Sequence, residues 1–447
     1  MSAVLRFPPG FLWGVSTSAY QIEGSLQADG RGPTIWDRFC AEAGRIAHGD
    51  TAAVACDHYR RYQQDVALLA GLGVGAYRFS IAWSRLQPEG RGPFKREGLA
   101  FYSRLVDELL AQGISPMPTL YHWDLPQALQ DAGGWQHRDT AARFAEFAQG
   151  MARQLGDRVP RWITHNETFE HTVLGHALGT HAPGLTLGLD SFAVAHHLLL
   201  SHGLAVQALR AHLPGAAQVG IAQSMAPARP ATGRAEDHAA AHLLHLLQEG
   251  IHCEPLLRGR YPEELATLGI DLSAIHAGDE ATIAQRLDFF GINYYNPTHV
   301  QATPPGSPVP LREAEAPAHH ERTEMGWPVI PQGLSELLLG LKQRHGDALP
   351  PLVITENGAA MPDALEAGGV DDPRRVAYLE QHLQALRTAM DGGVDVQGYF
   401  VWSLLDNFEW AEGYRPRFGL VHVDYATQRR TPKRSYHWYR DLIAAQA

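Results

Sequence analysis

Two glutamates stand at the ends of short apolar runs. Arg161–Thr164 (RWIT) leads through His165 to Asn166 and Glu167, and Leu352–Thr355 (LVIT) leads directly to Glu356 and Asn357. A pair of carboxyl groups is what cleavage of a glycosidic bond requires: one acid protonates the leaving oxygen, while the other, as carboxylate, attacks the anomeric carbon or activates water. A retaining enzyme needs the two about 5–5.5 Å apart. The residues at the ends of other apolar runs suit a sugar. Gln21 and Glu23 follow the first run, Arg78 lies in the second, and His122, Trp123 and Asp124 end the third. Asn293, Tyr294 and Tyr295 end the sixth, and Trp402, Glu409 and Trp410 close the series. Carboxylates and amides hydrogen-bond hydroxyls in pairs, and tryptophan faces stack on the C–H face of a sugar ring. A pocket of this content recognises a carbohydrate.

These side chains need a scaffold that gathers strand ends. The candidate strands are Phe11–Ser16, Ala76–Ile81, Ser115–Leu120, Arg161–Thr164, Gln218–Ala222, Asp288–Asn293, Leu352–Thr355 and Gly398–Trp402. Between them lie helical patterns. Tyr59–Leu72 has Tyr62, Val66, Leu69 and Ala70 on one face, and Phe101–Gln112 and Ala141–Leu155 read alike. Short apolar runs alternating with amphipathic stretches indicate βα units on a parallel sheet. Eight such units in 447 residues predict an α/β fold, a (β/α)8 TIM barrel, as a single domain over residues 1–447 with enlarged loops on its C-terminal face. The fourth and seventh strands of such a barrel face each other, which would aim Glu167 and Glu356 at one point. Residues 297–331 lack periodicity and include the Pro-rich TPPGSPVPLREAEAP, so they read as a long loop shaping the entrance, with Trp327 in its wall.

The chain resembles glycoside hydrolase family 1, the β-glucosidase family, over essentially its whole length. The resemblance rests on Phe11–Trp13 with Gly14, Gln21–Gly24 (QIEG), Tyr77–Arg85 (YRFSIAWSR), Tyr121–Pro126 (YHWDLP), Asn293–Tyr295 (NYY), Ile354–Gly358 (ITENG) and Trp402–Trp410 (WSLLDNFEW). It implies a retaining exo-β-glycosidase that removes terminal β-D-glucosyl residues, with β-galactosyl and β-fucosyl tolerated, through a covalent glycosyl-enzyme. By the same resemblance Glu356 is the nucleophile and Glu167 the acid/base. Gln21, His122, Asn166, Glu409 and Trp410 hold the first sugar, Trp402 is its stacking platform, Tyr295 hydrogen-bonds the nucleophile, and Arg78 lies beside it with Asn293 in support. An arginine there keeps Glu356 ionised, whereas Glu167 must start protonated, so its pKa should be raised. The family's NEP is here Asn166-Glu167-Thr168, preceded by His165. This departure touches the leaving-group side, for which Phe169, Val173, His176, His181, Trp327 and Phe418 are candidates. Relatives acting on 6-phosphorylated sugars replace the FEW segment with a Ser- and Lys-bearing loop. Glu409 in Phe408-Glu409-Trp410 would repel a phosphate and favours a plain sugar.

Several residues have plainer readings. Arg78 is a candidate buried ion-pair partner as well, and Tyr294 should point away from its neighbour on a strand and pack. Among 24 histidines, His238 and His242 stand four apart, but Ala239 excludes an HExxH zinc motif. Cleavage by two carboxylates needs neither metal nor other cofactor. A sugar-binding protein without catalysis would lack one carboxyl, and both are present. The net charge of −11 disfavours nucleic acid and anionic membrane as partners. No apolar run of membrane-spanning length is evident, and MSAVLRFPPGFLWG does not read as a signal peptide. Cys40, Cys56 and Cys253 form no framework, which suggests reduced thiols in the cytoplasm. The expected partners are small β-glycosides such as cellobiose, short oligosaccharides and aryl glucosides, with the protein a monomer or simple homo-oligomer.

Overall fold

A computed structural model describes residues 5–446 except 305, 308, 367 and 368. Eight parallel strands close a barrel: β1 (Leu12–Ser16), β2 (Ala76–Ser80), β3 (Ser115–Tyr121), β4 (Arg161–Asn166), β5 (Gln218–Ser224), β6 (Phe289–Asn293), β7 (Leu352–Asn357) and β8 (Val396–Trp402), which pairs back onto β1. This is the (β/α)8 TIM barrel expected of the alternating pattern. Helices α1 (His58–Leu72), α2 (Arg96–Ala111), α3 (Asp139–Leu155) and α4 (Phe192–Arg210) belong to its outer layer. Helix α1 ends on Gly73 at φ 78°, a left-handed C-cap that glycine adopts without strain.

Inside the barrel Leu12, Ala76, Met117, Ile163, Ala222, Phe289, Val353 and Phe400 meet, one from each strand. This apolar plug forms the layer beneath the site. Above it, residues two positions on turn inward as well: Arg78, Thr119 and Thr355 are buried, polar and bonded to one another or to neighbouring strand ends.

Two departures from regular pairing decide what faces the site. Strict alternation from Ile163 would send Asn166 to the helix layer, and from Val353 would do the same to Glu356. The register of β4 on β5 shifts between Ile163 and Asn166, and that of β7 on β6 between Ile354 and Glu356. Such irregularities re-aim a side chain. Here they turn both positions inward.

The segment 297–331 is more ordered than its composition suggests. Thr298–Ala302 and Leu311–Glu313 pair antiparallel, and Ala228–Pro230 adds a parallel third strand. One of the three strands is contributed by a distant loop, which local periodicity does not reveal. Helix α4 also corrects the sequence reading. It is long and apolar enough to cross a membrane, but most of it is buried against other parts of the protein. Its long contact with α3 explains the composition.

Candidate active site

Glu356 sits at the end of β7 and is almost fully buried. Arg78 Nη1 donates to its Oε1 at 2.5 Å, and the Tyr295 hydroxyl donates to its Oε2 at 2.7 Å. Arg78 also donates from Nη2 to Asn166 Oδ1 at 2.6 Å and from Nε to Thr119 Oγ1 at 3.2 Å. One guanidinium therefore ties β2, β3, β4 and β7 together. Gly358, two residues on, passes so close to β8 that a Cβ there would lie 1.8 Å from the Trp402 carbonyl oxygen. No side chain fits at that crossing.

Glu167 has a different environment. Its backbone is left-handed at φ 51°, a conformation costly for a non-glycine residue and typical of functional sites. Its N–H donates to Ala222 O at 2.8 Å. Asn293 Nδ2 donates to its Oε1 at 2.8 Å and to Asn166 Oδ1 at 2.9 Å, while Thr355 Oγ1 donates to Asn293 Oδ1 at 2.6 Å. Burial, then the charges of Glu356 and Glu170, push the Glu167 pKa well above the ordinary carboxyl range, against a smaller opposing effect of Asn293. One carboxylate is held by a cation and a hydroxyl, and the other is pushed toward its protonated form. Such a contrast is what a nucleophile and an acid require.

The two glutamates open on one cavity of about 840 Å³. His122, Asn293, Tyr295, Trp402, Glu409 and Trp410 line it with them. The His122 ring lies nearly parallel to both tryptophans, with centroids 6.0 Å from each. Burial and Arg78 lower the His122 pKa well below its usual value, so the imidazole is neutral. One of its nitrogens bonds Asn166 at 3.2 Å, and Nδ1 has no protein partner. Gln21, Asn166 and Arg78 stand just behind the cavity surface. The Gln21 amide donates to Asn407 Oδ1 at 3.1 Å and to Phe408 O at 2.9 Å, holding the loop that carries Glu409. Burial, then Glu356 and Glu412, raise Glu409 to about 8. That raised pKa weakens charge repulsion by Glu409 as an argument against phosphate. The cavity also offers little positive charge to hold one. Among the described lining residues the only Lys or Arg is Arg312, on the outlying strand Leu311–Glu313.

Phe169, His181, Trp327 and Phe418 all line the cavity, as does Val173. Trp327, Phe418 and Tyr295 pack together, with Tyr295–Trp327 centroids 5.3 Å apart. His176 does not belong with them. It is fully buried, bonds the His171 carbonyl at 3.0 Å, and is lowered to about 4 by burial. Tyr294 points outward and donates to Ile330 O at 2.9 Å. His165 also faces outward, bonding Ser201 Oγ at 2.8 Å and packing on Phe144. Thr168 keeps the N–H that a proline would lack and donates it to Gln223 Oε1 at 3.0 Å. Its hydroxyl lies 2.8 Å from His252 Nδ1, on the cavity wall.

A family profile described as "Glycosyl hydrolase family 1" matches residues 4–447. The chain belongs to glycosyl hydrolase family 1. "Thermostable beta-glucosidase B" of Thermobispora bispora is 48% identical, over 98% of this chain and 91% of that protein. "Bifunctional beta-D-glucosidase/beta-D-fucosidase" of Bifidobacterium breve is 43% identical over 98% of each. The crystal structure "Beta-glucosidase from Thermotoga maritima in complex with glucoimidazole" superposes with a TM-score of 0.94 at 42% identity, covering 99% of this chain and all of that one.

Several residues of this family 1 site escaped the sequence reading. Gln223, just past the fifth apolar run, fixes the backbone after Glu167. Position alone signalled it, because that run was the one to which no chemistry was attached. Glu170 lies one helical turn beyond Glu167, lines the cavity and accepts from Ser224 Oγ at 3.0 Å. Asn407, inside the WSLLDNFEW block, anchors Gln21. Their roles depend on contacts between distant loops.

Proposed function

We propose that this family 1 hydrolase is a retaining exo-acting β-glucosidase with Glu356 as nucleophile and Glu167 as acid/base. Glu356 attacks the anomeric carbon and forms an ester, while Glu167 gives its proton to the departing oxygen. In the second step Glu167, now a carboxylate, takes a proton from water. The resulting hydroxide attacks the same carbon and releases Glu356. Two inversions retain the β-configuration. The observation that carries this reading is the contrast between the carboxyls: Arg78 and Tyr295 grip Glu356, while burial pushes the Glu167 pKa well above the usual carboxyl range.

Esterification removes the Glu356 charge, so the Glu167 pKa falls between the steps as its task changes from acid to base. His122, Glu409, Trp402 and Trp410 form the glucose subsite, supported from behind by Gln21 and Asn166. The relatives named β-glucosidase, one also a β-fucosidase, support glucose as glycone with 6-deoxy sugar tolerated. Cellobiose and aryl glucosides are the substrates we propose, and the three unbridged cysteines suit a cytosolic location. The test is kcat/KM for 4-nitrophenyl β-glucoside, β-fucoside, β-galactoside and β-glucoside 6-phosphate. Glucoside and fucoside should lead, and preference for the phosphorylated sugar would refute the reading.

A further inference from the structure

Glu167 has φ 51° and ψ 65°, left-handed values that a non-glycine residue keeps only where its surroundings over-determine them. A proline at the next position would stiffen the chain there, by locking its own φ and restricting the residue before it. Thr168 does neither. What stands in place of the ring is a closed set of hydrogen bonds among three buried side chains from distant parts of the chain. Thr168 opens the short helix after β4, Gln223 lies near the end of β5, and His252 follows the π-helical turn Leu246–Gly250.

Two consecutive N–H groups are held by two consecutive residues of β5. Glu167 N donates to Ala222 O at 2.8 Å, and Thr168 N donates to Gln223 Oε1 at 3.0 Å. The first bond joins backbone to backbone and suits any sequence. The second depends on which way the Gln223 amide faces. Its Nε2 donates to Thr168 Oγ1 at 2.8 Å and to His252 O at 3.1 Å, which turns Oε1 toward the Thr168 N–H. The Thr168 hydroxyl has one proton and two acceptors in reach, Gln223 Oε1 at 3.0 Å and His252 Nδ1 at 2.8 Å. Oε1 already takes the N–H, so the hydroxyl proton belongs to Nδ1. His252 is then the tautomer protonated on Nε2, and burial, which lowers its pKa to about 3, keeps it neutral. Asn293 holds the Glu167 carboxyl itself, and this set holds the backbone behind it.

We infer that Thr168 and His252 are positioning residues for the acid/base. Acting through Gln223 and the backbone, they keep the Glu167 carboxyl aimed at the leaving oxygen, without touching the reacting atoms. The inference rests on the reading of Glu167 as acid/base and adds the residues that aim it.

The experiment compares kcat/KM for phenyl β-glucoside, whose leaving oxygen needs a proton, with that for 2,4-dinitrophenyl β-glucoside, whose leaving group departs without one. The enzymes are wild type, Thr168→Val, Thr168→Ser, His252→Phe and Glu167→Ala. A merely structural role would lower both substrates alike, and their ratio does not depend on how much protein is folded. The phenyl-to-dinitrophenyl ratio should fall about tenfold in Thr168→Val and in His252→Phe, while Thr168→Ser, which keeps the hydroxyl, should stay within about twofold of wild type. Thr168→Ala, which also lacks the hydroxyl, gives the same comparison should the valine variant fail to fold. An unchanged ratio in either the hydroxyl-free or the His252 variant would overturn the inference, as would a Thr168→Ser enzyme as defective as Thr168→Val. A Glu167→Ala enzyme with an unchanged ratio would instead overturn the assignment of Glu167, and this inference with it.

Discussion

At the scale of residues the site works through unequal treatment of like groups. Glu356 and Glu167 are chemically identical, so the opposite tasks proposed for them can come only from their neighbours. Removing the Tyr295 hydroxyl deletes one bond to a charged oxygen, a contribution of about 1.5–3 kcal/mol. Tyr295→Phe should therefore lower kcat/KM about 10- to 100-fold in steady-state assays. Glu167→Ala should slow glycosides with poor leaving groups by about 10²–10⁴, with much less effect on activated aryl glycosides. Added azide should restore turnover and give a β-glycosyl azide, identified by NMR, and an α-azide would reverse the two assignments. The pH profile follows from sign. Glu167 must be protonated for the first step and its pKa is raised, so kcat/KM should persist above the usual carboxyl range and fall as pH rises through that pKa. Replacing Glu356 by Gln removes a charge that raises it, so a carbon-13 label on Glu167 should titrate lower in that variant.

At the scale of elements the strand ends matter most, and there sequence and structure part in an instructive way. The strands themselves were legible because a parallel barrel buries both faces and leaves near-continuous apolar runs. The register shifts at Asn166 and Glu356 were not, since alternation alone would turn both positions outward. Resemblance to a family named the residues; geometry explains how they come to face the cavity. Residues 297–331 were read as a long aperiodic loop at the entrance, and their short strands went unseen because one partner strand lies at Ala228–Pro230. His176 was misassigned because helical spacing near Phe169 does not show which side a π-helical turn presents. The loop after β8 shows another dependence on distant contacts. Asp406 accepts from Lys433 Nζ at 2.6 Å, Arg417 Nη1 at 2.7 Å and Gly419 N at 3.0 Å, and Lys433 also pairs with Asp363, which Arg375 holds in turn. Removing one member of a buried charge network strands its partners, at about 3–5 kcal/mol. Asp406→Ala should lower Tm markedly in calorimetry, and because this loop carries Glu409 it should raise KM more than it lowers kcat. An unchanged Tm would mean the network carries no stability.

At the scale of the whole molecule, the barrel gathers residues far apart in sequence onto one face and closes the space beneath them with an apolar plug. Gln21 and Glu409 meet although they lie 388 positions apart. The loops then build a cavity of about 840 Å³ above that plug. Its floor was foreshadowed by residue type at all strand ends but the fifth. The central claim, double displacement at Glu356 with Glu167 as acid/base, is tested most directly by proton NMR of the first-formed sugar from an aryl β-glucoside, run beside Glu356→Ala. The β-anomer should appear first, before mutarotation, and the variant should lose at least about 10⁴-fold in rate. First formation of the α-anomer, or a Glu356→Ala enzyme that still turns over at the wild-type rate, would contradict it.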